Sequence, residues 1–330
     1  MKRRQWIQWA SGYGLAALAG TTGATEKNAL QWAERHFNAL GTSLHLKAAH
    51  EDPARAAAAL DACVADVRQI ESEMSLFKED SALQHLNRSG VLEQPPPNLV
   101  QLLTTAQQIS KRSRGDFDVT VQPLWSVFEQ AAKLGKIPDP TDVAKARALV
   151  DWRQLTVTPQ RIALQHPGMG VTLNGIAQGF AADKLKARLQ QHKIAHALVD
   201  AGEWSALGLS PANRDWVLGV ANPRQSEAVL GRIALNGACL ATSADDQCSF
   251  SQDHQYHHIF NPHTGYSPPD LCSVTVLARN ASLADAMTKV LFMAGFDQGL
   301  RVAEQWGVQA VLVHKQGHIK TSPGLRWLAA

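Results

Sequence analysis

Apolar and polar positions partly alternate over residues 42–48, which is the period of a strand. From residue 53 to about residue 74 the period lengthens to that of a helix. This alanine-rich run follows Asp52, whose carboxylate suits an N-cap, and opens on Pro53, whose fixed φ suits a first turn. Helical spacing returns over 98–112, where Gly115 closes the segment, then over 123–133 and briefly near 142–149. The prolines of 94–97 read as a rigid surface connector. Past residue 150 the pattern changes. Short β-rich runs at 155–158, 161–164, 197–199, 216–220 and 229–235, most bounded by Gly, Pro or Asn, predict strands. Two more, at 309–313 and 318–321, flank a turn at 315–317. Helices are expected over 175–192 and 282–294, the second with Ser282 as its cap. Strands and helices do not alternate as repeating βαβ units. The expected class is therefore α+β, a mixed sheet with packed helices, and a Rossmann-type doubly wound sheet is disfavoured.

A length of 330 residues suffices for one large domain or two intimate lobes, and 45% apolar with 18% charged residues describes a globular body. A formal charge of +3, with no basic stripe interleaved with aromatics, gives no case for a nucleic-acid partner. The first residues, 1–24, have a basic start, a glycine-diluted apolar run and small residues to Ala24, the layout of a secretory signal. Arg3 and Arg4, followed by Gln5, Trp6 and Ile7, are similar to a twin-arginine signal, so a periplasmic protein is expected. Gly12, Gly14 and Gly20 leave too short an apolar span for stable membrane insertion. Cys63, Cys239, Cys248 and Cys272 show neither C-x-x-C spacing nor a disulfide framework, and buried or idle thiols are the favoured reading.

Three segments can carry chemistry. In residues 172–185, Gly175 and Gly179 stand where a helix begins; exposed N–H groups at such a start favour anionic groups such as phosphates, although a glycine there is more often simple turn chemistry. In residues 257–265 a strand-like run meets a turn, and His258 at its edge can exchange a proton near neutral pH. The nearby His254, His257 and His263 do not have tetrahedral zinc spacing. In residues 282–295, Asp285, Thr288 and Lys289 lie three and four positions apart on one helix face. A carboxylate and a hydroxyl so placed can hold a hard cation such as magnesium, or can simply be the polar side of an amphipathic helix.

Taken in order, short blocks from about residue 40 to residue 295 resemble the ApbE family, the FAD:protein FMN transferases. The family blocks M-G-T, M-S-x-[YF], G-x-F-D, D-L-G-G-I-A-K-G, T-S-G-D, H-I-I-D-P-x-T-G and A-D-A-L-S-T stand here as LGT (40–42), MSLF (74–77), GDFD (115–118), TLNGIAQG (172–179), TSAD (242–245), HIFNPHTG (258–265) and ADAMTK (284–289). The specificity lies in their order, since each block alone is short.

The resemblance implies an ApbE-type, T-fold-like domain over residues 25–330. It implies a flavin and adenine site lined by Leu40, Phe77, Gly115, Asp116, Phe117, Asp118, Thr172, Gln178 and Ile259, with Phe77 able to stack on a ring. It also implies Mg²⁺ held by Asp285, the backbone of Gly175 and Ala177, and Thr288 or its neighbour Lys289. His258 would be the base that prepares a threonine or serine hydroxyl of an acceptor flavoprotein, NosR-like or a respiratory redox subunit. That hydroxyl would attack the FMN-side phosphorus of FAD and expel AMP, while metal charge stabilises the anionic diphosphate. This chain departs from the family pattern at Thr172, Ala244 and Asn261, and above all at Lys289, where a metal-binding threonine is expected. Asn174 and Gln178 resemble the NosX subgroup. Two alternatives accompany the transferase: a flavin-binding protein without transfer activity, for which Lys289 speaks, and an FAD pyrophosphatase.

Overall fold

The computed structural model describes residues 29–329; the expected leader over 1–24 lies outside them. Strands β1 (Gln31–Ala39) and β2 (Thr42–His50) form a hairpin, followed by helices α1 (Pro53–Met74) and α2 (Ala82–Ser89). Next come β3 (Val91–Glu93), α3 (Pro97–Arg112), α4 (Gln122–Lys133), α5 (Pro140–Arg147), β4 (Leu155–Val157) and β5 (Arg161–Leu164). The second half runs through α6 (Ala177–Gln191), β6 (His196–Asp200), β7 (Trp204–Leu207), β8 (Trp216–Asn222), β9 (Gln225–Leu235), β10 (Cys239–Ala244) and β11 (Leu271–Ala278). It closes with α7 (Ala281–Trp306), β12 (Gln309–His314), β13 (Ile319–Thr321) and β14 (Trp327–Ala329).

The main sheet has eight strands in the order β1-β2-β6-β7-β10-β11-β12-β13, and neighbours in it pair antiparallel. It is covered on both faces. In β12, Ala310 and Leu312 point into a core shared with α1, α6 and α7, whereas Val311 and Val313 point into a second core against Trp216, Leu218 and Ile233 of the three-stranded sheet β14-β9-β8. A strand buried on both sides has no polar face, which is why β10 (CLATSA) and β11 (LCSVTVLA) show no alternation. The pattern gives no sign of these two, nor of β1, β3, β7, β14 or α2.

Helix α1 begins as expected: the Asp52 side chain accepts from the Ala54 N–H, and Pro53 occupies the first turn. Helix α7 runs beyond the predicted 282–294 because a second helical piece follows Gly295, whose non-helical φ of 71° marks a kink. A third core gathers Leu124 and Phe128 of α4, Val143 of α5 and Phe260. Ring centroids of Phe250, Tyr256, Phe260 and Tyr266 lie 5.1–6.1 Å from that of Phe128, so aromatic contacts rather than a sheet hold the loop between β10 and β11. Among the described residues no helix is long and apolar enough to cross a membrane.

Candidate active site

The β1–β2 turn, the loop after α1, the segment between α3 and α4, the start of α6, the β6–β7 turn, the β10–β11 loop and the first turns of α7 all contribute to one cavity of about 580 Å³. Its wall includes Phe77, Asp116, Phe117, Asp118, Thr172, Gly175, Gln178, His258, Ile259, Asp285 and Lys289, all nominated by the sequence. Leu40, Gly115, Ala177 and Thr288 are not among the lining residues.

Leu40 nevertheless shapes the rim. Leu40 and Gly41 form the two-residue turn between Ala39 and Thr42, both with positive φ (51° and 73°), the type I′ geometry that matches strand twist. A leucine is strained there, and its N–H is fixed by the Glu71 carboxylate at 2.7 Å. Its carbonyl accepts from Gln178 Nε2 at 3.4 Å, tying the turn to α6. Phe77 is 71% exposed at the rim, an aromatic face with nothing packed over most of it.

The GDFD block is split by role. Asp116 Oδ1 accepts from His263 Nε2 at 3.0 Å, bridging to the β10–β11 loop. Asp118 is buried, and its oxygens accept from Thr120 N, Thr120 Oγ1 and Trp152 N, so this carboxylate braces the loop. Thr172 donates its N–H to the Val119 carbonyl and accepts at Oγ1 from Asn174 N. His258 sits half-buried with Nδ1 3.2 Å from the Cys248 carbonyl. A carbonyl only accepts, so this contact assigns a proton to Nδ1, and the neutral form of the ring then has its lone pair on Nε2.

Helices α6 and α7 cap each other. Asp183 of α6 accepts from Ala281 N, Ser282 N and Ser282 Oγ at the start of α7. Asp285 of α7 returns the favour through Oδ2, which accepts from Gly179 N at the otherwise uncapped start of α6. Its other oxygen, Oδ1, accepts from Lys289 Nζ at 2.5 Å, and that ammonium also donates to the Asp285 carbonyl at 3.2 Å. Thr288 is fully buried; its hydroxyl donates to the Asp285 carbonyl and accepts from Ser243 Oγ at 2.8 Å.

Glu203, just before β7, is a cavity residue that the motifs do not include; it is 5% exposed and accepts from Thr242 N, and burial, reinforced by the Asp285 charge, pushes its carboxyl well above the ordinary range. The only signal was an acidic residue set in the apolar run AGEWSAL. Asp200, at the end of β6, is pushed up to about 7 by burial, against the Gly202 N–H bond that lowers it.

The Asp200 shift sets a pH dependence. Between the ordinary 3.8 and about 7 the folded chain keeps a proton that the unfolded chain releases, so this contribution is complete below 3.8 and lost as pH rises to about 7. His257 works the opposite way: burial lowers it from 6.5 to about 3, so its share is lost as pH falls through that window. Subtracting the stability curve of Asp200→Asn from that of the wild type isolates the first effect. The expected difference falls with pH by up to about 1.4 kcal/mol per unit, measured by urea unfolding. A flat difference would mean Asp200 is ionised in the folded chain.

The profile of the ApbE family matches residues 40–312. The chain is 29% identical over 265 residues to the FAD:protein FMN transferase of Haemophilus influenzae, covering 75% of each protein. It is 27% identical over 351 residues to the FAD:protein FMN transferase of Treponema pallidum, covering 97% of this chain and 94% of that one. Among solved structures, the ApbE protein of Thermotoga maritima superposes with a TM-score of 0.80 at 26% identity, over 89% of this chain and 97% of its own. The apo flavinyl transferase ApbE of Pseudomonas stutzeri has the same fold, with a TM-score of 0.76 at 24% identity over 89% and 95%.

Proposed function

This chain belongs to the ApbE family, and from that premise we propose that it is an FAD:protein FMN transferase whose chemistry takes place in the cavity between α6, α7 and the β10–β11 loop. The observation that carries the proposal is that one cavity collects blocks from across the chain: Phe77 on its rim, the glycine-led start of α6, and His258 on its wall. Phe77 offers a face for an aromatic ring of FAD. Gly175, on the cavity wall just before α6, lets the diphosphate approach the backbone closely. An acceptor hydroxyl approaching His258 gives its proton to Nε2 while its oxygen bonds to the FMN-side phosphorus. The anhydride bond to the second phosphorus then breaks and AMP leaves with that bridging oxygen.

Magnesium, which the resemblance implies, does not fit the donor set of this chain. Both carboxylate oxygens of Asp285 are engaged and the Thr288 hydroxyl is turned away onto Ser243. Lys289, being an ammonium, has no lone pair to offer. A dication about 4 Å from that ammonium would meet roughly 8 kcal/mol of repulsion at the effective dielectric of a partly exposed site.

The test is to incubate the chain with FAD and a candidate acceptor, a NosR-like or respiratory redox subunit bearing the threonine or serine. Covalent FMN on the acceptor is the expected product; unchanged FAD would leave only a flavin carrier, and free FMN with AMP a pyrophosphatase. His258→Ala is expected to slow transfer by about 10²–10⁴-fold with FAD affinity unchanged. Equal loss in binding would assign His258 to the flavin instead. Export to the periplasm through the Arg3-Arg4 leader belongs to the same proposal, and flavinylated acceptor in the periplasmic fraction is its check.

A further inference from the structure

Lys289 lies on the cavity wall beside the backbone that leads into α6. It projects from α7 one turn after Asp285, its side chain is 16% exposed, and it lines the cavity. Its stem crosses the backbone before α6 so closely that a Cβ on Gly175 would lie 3.1 Å from Lys289 Cε. The glycine thus makes room for the lysine. Among the described residues the ammonium has two acceptors, both on Asp285, which leaves its third N–H for the cavity.

Asp285, 1% exposed, has Oδ1 on this ammonium and Oδ2 on the Gly179 N–H, so the buried carboxylate already has a resident counter-charge.

Resting on the flavin-transfer reading above, we infer that the Lys289 ammonium is the resident cation of this site: it stands beside Asp285 and Gly175 where a divalent ion would have to stand, and it engages the diphosphate of FAD directly, so that FAD is held without a divalent metal. A lysine is a point charge on a flexible stem, suited to a phosphate oxygen in this role.

Calorimetry with FAD separates this inference from the function it rests on. In EDTA and in millimolar magnesium the wild-type chain is expected to bind FAD with affinities within about twofold of each other, and magnesium alone to give no saturable heat. Lys289→Thr removes the cation and supplies an oxygen; it is expected to bind FAD at least about tenfold more weakly in EDTA and to recover when magnesium is added. Lys289→Arg, which keeps the charge, should stay close to wild type in EDTA. The inference is overturned, with the transferase reading intact, if magnesium tightens wild-type FAD binding about tenfold or more, or if magnesium alone titrates a single site that Asp285→Asn removes. Absence of FAD binding in both conditions overturns the flavin reading and this inference with it. The wild-type titrations decide the matter even if a Lys289 variant does not fold.

Discussion

Replacing Asp285 with alanine is expected to lower the unfolding free energy by about 3–5 kcal/mol. The carboxylate is 1% exposed and serves two partners at once, the buried Gly179 N–H and the part-buried Lys289 ammonium. Alanine leaves a helix start without its cap and a largely buried charge without its counter-ion, and each loss is larger than the neutral hydrogen bond it resembles. Urea unfolding followed by circular dichroism measures the loss. The double variant Asp285→Ala with Lys289→Met is expected to regain about 1–3 kcal/mol over the single one, because the orphaned charge goes as well. A single-variant loss under about 1 kcal/mol would place this pair with ordinary surface ion pairs and would mean that it does not fasten α6 to α7.

Gly179→Ala is expected to destabilise the chain by about 3 kcal/mol, although glycine to alanine inside a helix ordinarily stabilises by about 1 kcal/mol. The sign reverses because a Cβ at 179 would fall 2.4 Å from the Ala281 carbonyl oxygen and 2.8 Å from Ser282 Cα. These are backbone atoms at the start of α7, and they cannot move aside without separating the two helices. Gly175→Ala makes the contrast within the same motif. There the nearest atom is Lys289 Cε at 3.1 Å, part of a flexible side chain that can shift by a few tenths of an ångström. Thermal unfolding of the two variants side by side should therefore show a large drop for position 179 and a small one for position 175. Equal drops would mean that α6 and α7 are not in the contact described.

Much of this was legible in the chain. Asp52 and Pro53 announce the start of α1, and the resemblance across residues 40–295 points to eleven of the residues that line the cavity. Strands β10 and β11 stayed hidden because sandwiching by helices and by a second sheet removes the alternation on which strand recognition depends. The strand β1 was hidden for the opposite reason: Glu34, Arg35 and His36 make an exposed edge whose residues look like a loop. Glu203 could not be found because only the fold brings it beside Asp285. The spacing of Asp285, Thr288 and Lys289 placed them on one face, but spacing is silent on rotamers, and it is the rotamers that turn Thr288 onto Ser243 and Lys289 onto Asp285.

Because each helix borrows from the other the carboxylate that ends it, neither start can fray alone. Letting go of Gly179 N frees Asp285, and letting go of Ala281 N frees Asp183, so the two ends open together or stay shut. Backbone protons at Gly179, Ala281 and Ser282, a hundred positions apart along the chain, should thus trade with heavy water through a single shared opening. The floor on which a phosphate would rest is a clasp, and heat that loosens it anywhere would be felt there first.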